Sequence, residues 1–214
     1  MTEHPDWAQE TEARLLTAAL PHAPRLGWTS RLVAAAARDV GLSPAEAELL
    51  LPHGPRDLAA LLAQRHDRRA LEALADVDPA ALKVRERIAR GVLARCDGAM
   101  RDEAVVRRWA GFLSLPANMA LGLRLAWASA DGLWRWAGDT ATDENHYSKR
   151  FLLAEILIST LAIRVSSGTN AAADHLGVRI DAVMAFERWK AGIKPAGVAT
   201  RLAGVLGRMR YGRA

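Results

Sequence analysis

A chain of 214 residues, half of them hydrophobic, can bury a real core and is too apolar to be intrinsically disordered. Its one cysteine, Cys96, excludes an internal disulfide framework and a paired-cysteine metal site, and reads as a small buried hydrophobe. The net charge of +5 suggests nucleic acid only until it is located: residues 188–214 hold seven Lys or Arg and no Asp or Glu, whereas residues 1–75 hold eight against ten. The opening MTEHPDWAQETEARLL is acidic and lacks an apolar run, so neither a signal peptide nor an Arg-rich transit peptide is expected, and the expected place is cytoplasmic.

Strand-type alternation is absent and apolar residues recur at three and four spacings between Pro and Gly, which predicts an all-α fold. The first helix is expected over Asp6–Leu20, stopped by Pro21 and Pro24. Arg31–Val40 and Pro44–Leu51 follow, separated by Gly41 and with Ser43 as cap of the second. Helix, glycine turn, helix is a helix-turn-helix outline, and with the helix before it this part resembles the N-terminal domain of TetR-type repressors. A DNA-reading helix needs cations for phosphate and polar side chains for base edges. The second helix of this pair reads PAEAELLL and brings Glu46 and Glu48 instead. Residues 1–75 are therefore expected to be a helix-turn-helix-shaped scaffold with no nucleic-acid partner.

Further helices are expected over Arg56–Leu74, Ala80–Cys96, Glu103–Leu115 and Met119–Ala137. In the first of these, Arg65, His66, Arg68 and Arg69 read as a solvated face. The last carries three tryptophans among small residues, with Leu123, Trp127 and Trp134 near one face. Spacing alone does not separate a packed aromatic core from the wall of a cavity. After a polar turn at Gly138–Asn145, the run Phe151–Val165 is apolar on nearly every side, as a buried helix is. It is too short, and too interrupted by Glu155 and Arg164, to span a bilayer, which takes about 20 apolar residues. Ser166–Asn170 reads as a loop and Ala171–Lys190 as the next helix.

The wording around that turn resembles a known family, the lipid-binding accessory proteins of coenzyme Q biosynthesis. The residues that carry the likeness are Pro116–Ala117–Asn118, Leu121–Gly122–Leu123, Asp131 to Trp134, and the run from Gly138 to Arg150, with Leu26–Gly27–Trp28–Thr29 as an earlier match. His146 stands where many relatives carry tryptophan, and AAADHLGVRI replaces their acidic, tryptophan-containing segment. The resemblance implies a TetR-like all-α fold, a homodimer, and an apolar cavity for an isoprenoid, quinone or phospholipid, whose wall would be Leu123, Trp127, Trp134, Leu153, Ile156, Leu157 and Leu161. It also implies that Asn145, His146, Tyr147 and Lys149 form a patch docking the di-iron demethoxyubiquinone hydroxylase. The implied role is non-catalytic: presenting a polyprenylated quinone intermediate from the membrane to that enzyme.

The residues agree with a binding role. Asp139, Asp143, Glu144 and His146 crowd together without a Glu-x-x-His pair, and no Gly-x-Ser-x-Gly or P-loop pattern occurs, so no catalytic residue, metal or cofactor is expected. From Pro195 the chain reads as a basic amphipathic helix. Val198, Leu202, Val205, Leu206 and Met209 form its apolar stripe, and Arg201 leads its charged face. Touching the inner face of the cytoplasmic membrane is its expected task. The organisation expected is 1–75, 76–194 for lipid binding and pairing, and 195–214. The alternative is a TetR-type regulator whose larger domain senses a lipid, which would have to bind duplex DNA through residues 29–51.

Overall fold

The computed structural model describes residues 7–139 and 144–192, and among these every regular element is helical. In order they are α1 Trp7–Ala19, α2 Ala23–Leu26, α3 Ser30–Asp39, α4 Pro44–Leu50, α5 Pro55–Ala73, a 3₁₀ turn Pro79–Ala81, α6 Val84–Met100, α7 Glu103–Ser114, α8 Met119–Trp136 and α9 Glu144–Gly192. The chain divides into two compact units, residues 1–176 and 177–214. The second unit is described only as the helix through residue 192.

Local chemistry sets the boundaries. Gly41 turns the chain between α3 and α4 at φ 76°, a conformation side chains resist. Ser43 then closes a capping box: Glu46 N–H donates to Ser43 Oγ at 3.3 Å, and Ser43 N–H to Glu46 Oε2 at 2.8 Å. The Ser43 hydroxyl, which donates to Glu46 Oε2 at 2.6 Å, and the Ser43 N–H together hold the Glu46 carboxyl below its ordinary range. Helix α6 starts at Val84, later than its sequence pattern suggests, because the Asp78 carboxylate accepts from Ala80 N–H and holds Pro79–Ala81 as a separate turn.

Around α5 the first core forms. Leu15 and Leu16 of α1, Leu32 and Ala36 of α3, Leu58 and Leu62 of α5, and Trp28 and Trp109 are buried together. Each fully buried leucine contributes about 1.5–3 kcal/mol. Helix α6 lies against α5 so closely that a Cβ added at Gly98 would stand 3.0 Å from the His66 carbonyl oxygen and 3.3 Å from Arg69 Cβ. Backbone cannot step aside cheaply, so Gly98→Ala is expected to lower unfolding stability by about 1–3 kcal/mol, read as a shifted urea midpoint with unchanged slope.

His66 corrects the sequence reading, which placed it on a solvated face. It is fully buried, its ring edge-on to Trp109 at 5.6 Å, with Nε2 3.2 Å from Asp102 Oδ2. Arg69 Nη1 donates to the same Asp102 oxygen at 2.5 Å and to the Gly98 carbonyl at 3.1 Å. Burial would raise the Asp102 carboxyl, but the bonds from His66 and Arg69 bring it below the ordinary value. Burial pushes His66 the other way for a base, down to about 4 from 6.5. The unfolded chain therefore takes up a proton near pH 6.5 that the folded chain refuses until about pH 4. Stability is expected to be complete above pH 6.5 and to fall by about 3 kcal/mol as pH drops from 6.5 to 4. His66→Gln should flatten the urea-midpoint profile across that window.

Helix α9 is two arms. Gly168 breaks it with φ 88° and ψ −172°. Ser159 and His175 lie 16 positions apart, about 24 Å along a straight helix, yet their Oγ and Nε2 atoms are 3.0 Å apart. The chain must therefore double back at Gly168, inside the Ser166–Asn170 stretch read as a loop. One expectation changes here. His146–Ala185 is long enough, and its most apolar 18-residue stretch apolar enough, to cross a membrane by length and composition, unlike the shorter run read from the sequence. The reversal at Gly168 means it is not one rod. Its first arm buries Leu153, Ile156 and Leu157 and pairs Arg150 and Arg164 with Asp131 and Asp97, while Phe151 and Ile158 stay exposed.

Candidate functional site

Between α6, α7, α8 and the first arm of α9 lies a cavity of about 700 Å³. Its walls are mostly apolar: Trp109 and Leu113 from α7, Leu123, Leu125 and Ala126 from α8, and Leu157, Ile158, Leu161 and Val165 from α9. Gly122 explains how α7 and α8 form one wall. A Cβ there would meet the Leu113 carbonyl oxygen at 3.3 Å and Leu113 Cβ at 3.4 Å, so its absence lets the helices close up.

The cavity has a direction. At one end Met119, Leu123 and Ile158 are about half exposed (54%, 56% and 46%). At the other, Arg95, Cys96, Trp109 and Ser129 are buried. The Arg95 guanidinium Nε donates to Asp67 Oδ1, and Ser129 Oγ donates to the same oxygen at 2.6 Å. Burial pushes the Cys96 thiol up to about 12, so it faces the cavity as an inert wall and not as a nucleophile.

Of the residues expected to line such a space, Leu123, Leu157 and Leu161 do so. Trp127, Trp134, Leu153 and Ile156 lie elsewhere. Leu153 and Ile156 are packed at 2% and 3% exposure, Leu153 on the face of Leu157 but one turn nearer the start of α9. Trp134 Nε1 donates to the Lys149 carbonyl at 3.1 Å, and Lys149 Nζ sits 5.4 Å from the Trp134 ring centre. Trp127 lies 6.2 Å from Tyr147, next to His146, in a partly exposed aromatic group. Helix α7, expected only as a helix, supplies Trp109 and Leu113 to the cavity wall. The available signal was the small residues Gly111, Gly122 and Ala126 among large apolar ones. The side chain of Asn145, and the tail residues Val198, Arg201, Leu202, Val205, Leu206 and Met209, lie outside what the structure describes.

Most of the motif residues prove to be fasteners. Asn118 accepts from Arg56 Nε at 2.9 Å and donates to the Phe112 carbonyl at 3.0 Å, while Arg56 Nη2 donates to the Ala117 carbonyl. This pins the turn from α7 to α8 onto α5. Gly138 adopts φ 83° after α8. Asp139 then accepts from Lys149 Nζ at 2.6 Å and Arg150 Nη1 at 3.1 Å, so it ties α8 to α9. Burial would raise its carboxyl, but those two cations hold it below the ordinary range. Arg150, only 2% exposed, also donates to Asp131 Oδ1 at 2.5 Å and to the His146 carbonyl at 3.2 Å. Among the described residues no three His, Cys, Asp or Glu side chains gather in a way that could hold a metal ion.

Comparison with known proteins places this same region. The COQ9 family model matches residues 119–187, which hold α8, the motif turn and α9. The chain is 29% identical over 166 residues to the human protein "Ubiquinone biosynthesis protein COQ9, mitochondrial", covering 71% of this chain and 50% of that protein. The rat protein of the same name is also 29% identical, over 164 residues, covering 71% of this chain and 51% of the relative. "Ubiquinone biosynthesis protein COQ9-B, mitochondrial" of Xenopus laevis is 28% identical over 166 residues, covering 71% and 54%. The chain thus spans about half the length of the curated relatives it matches. The resemblance carried by Pro116–Arg150 holds: the chain is similar to the COQ9 proteins, and the segment 119–187 supplies two of the cavity's walls.

Proposed function

We propose that this protein is a non-catalytic lipid-binding accessory protein of ubiquinone biosynthesis. It takes the prenyl tail of a quinone intermediate out of the membrane and presents the head to the hydroxylase of the pathway. One observation carries this reading: the family segment lines an apolar cavity of about 700 Å³ with one exposed end. That volume falls within the range of small-molecule sites, roughly 300–1,000 Å³. A tail leaves a bilayer only if another apolar wall replaces the lipid, since burial is worth about 25 cal/mol per Å².

The names of the relatives support the pathway, and their mitochondrial place supports work beside the membrane that carries it. The seven cations of residues 188–214, with no carboxylate among them, support contact with an anionic surface. The exposed aromatic group of Trp127, His146 and Tyr147 supports a docking face for the hydroxylase, and a homodimer is the assembly proposed by fold analogy.

Organic extraction of the purified, folded protein followed by mass spectrometry tests the binding role. A stoichiometric prenyl lipid or quinone is the expected result, and a folded protein with no extractable lipid would overturn it. Removing residues 195–214 should abolish sedimentation with anionic vesicles, and retention of full binding would remove the tail from the proposal.

A further inference from the structure

The buried end of the cavity is closed by a link, not by the hydrophobic core. Arg95 and Ser129 line the 700 Å³ cavity on one side and, with Asp67, a second small pocket of about 20 Å³ on the other. Beyond them that pocket is bounded by Ala70, Leu71 and Leu133. Arg95 from α6, Asp67 from α5 and Ser129 from α8 are joined through the single oxygen Asp67 Oδ1. Arg107 and Ser114 also line the cavity but are exposed, so this link is where its buried wall turns polar, and an alkyl chain gains nothing by pressing on a neutralised ion pair.

We propose that the Arg95–Asp67–Ser129 link is a stop that sets how long a prenyl tail the cavity holds. The proposal rests on the lipid-binding reading and adds specificity to it. A methylene takes about the volume of a water, ~30 Å³, so the cavity holds on the order of five isoprene units and leaves longer tails protruding at Met119 and Leu123. Affinity should therefore rise with tail length and then level off. Removing the link joins the two spaces and moves the plateau outward. A bulky apolar side chain at its inner face moves the plateau inward.

The test uses the full chain and benzoquinones bearing two to eight isoprene units, with affinity read by quenching of tryptophan fluorescence. Wild type is expected to gain affinity up to about five units and to stay flat beyond. Asp67→Ala/Arg95→Ala removes both charges together, so that neither is left buried alone, and should shift the plateau outward by up to about one unit, most of the new space coming from the deleted side chains. Ser129→Phe should shorten it by about one unit, and it serves alone if the double variant does not fold. Plateaus unmoved in folded variants would overturn the stop while leaving lipid binding in place. A flat profile in wild type, with short and long tails bound alike, would also overturn it. No binding at any length would instead remove the lipid-binding reading beneath it.

Discussion

Arg150→Met is expected to lower the stability of the folded chain by about 3–5 kcal/mol, the usual consequence of deleting one partner of a buried ion pair. The guanidinium is almost wholly enclosed and bridges Asp131 and Asp139, so its loss strands two carboxylates at the junction of α8 and α9. Lys149 still reaches Asp139, and Arg135 still reaches Asp131, though Arg135 is largely exposed and its bond correspondingly screened. Thermal and urea unfolding measure the effect. A loss below 1 kcal/mol would show that the junction tolerates its charges through water. Adding Asp139→Asn to Arg150→Met should recover part of the loss, which an unrelated packing defect would not allow.

Ala126→Trp is expected to weaken tail binding at least tenfold while leaving the fold intact. Ala126 faces the cavity from the middle of α8, and an indole there occupies the space a tail would take. Tenfold corresponds to 1.4 kcal/mol. Filling a void in an apolar wall commonly stabilises, so the melting temperature without ligand should hold or rise. Arg124→Trp, which adds the same ring to α8 away from the cavity, is the control. Equal affinities in the two variants would separate lipid binding from this cavity.

The helices themselves were legible because their signals are local. Ser43 caps α4 as the sequence suggests, with Glu46 completing a capping box, and Gly41 makes the turn before it. The cavity was only partly legible, for a physical reason. Apolar spacing says which face of a helix turns inward, but a face against another side chain and a face against empty space have the same spacing. Leu157 and Leu161 line the cavity while Leu153 and Ile156, on the same helix and equally apolar, are packed. The tryptophans misled through size: Trp127 and Trp134 serve the α8–α9 surface, whereas Trp109, unremarkable in its pattern, forms the inner wall. His66 was misplaced because its neighbours Arg65 and Arg68 imply water, and only the pairing with Asp102, 36 positions away, makes its burial tolerable.

The unfilled space also bears on how long each copy survives. A void forfeits the attractive contacts its lining atoms would otherwise make, so the vacant form begins at a thermodynamic disadvantage. A guest that binds only the native state adds about 2.7 kcal/mol when present at a hundredfold over its dissociation constant. On the lipid-binding proposal, abundance of the protein would then follow the supply of its ligand, with unliganded copies melting earlier and reaching proteases first.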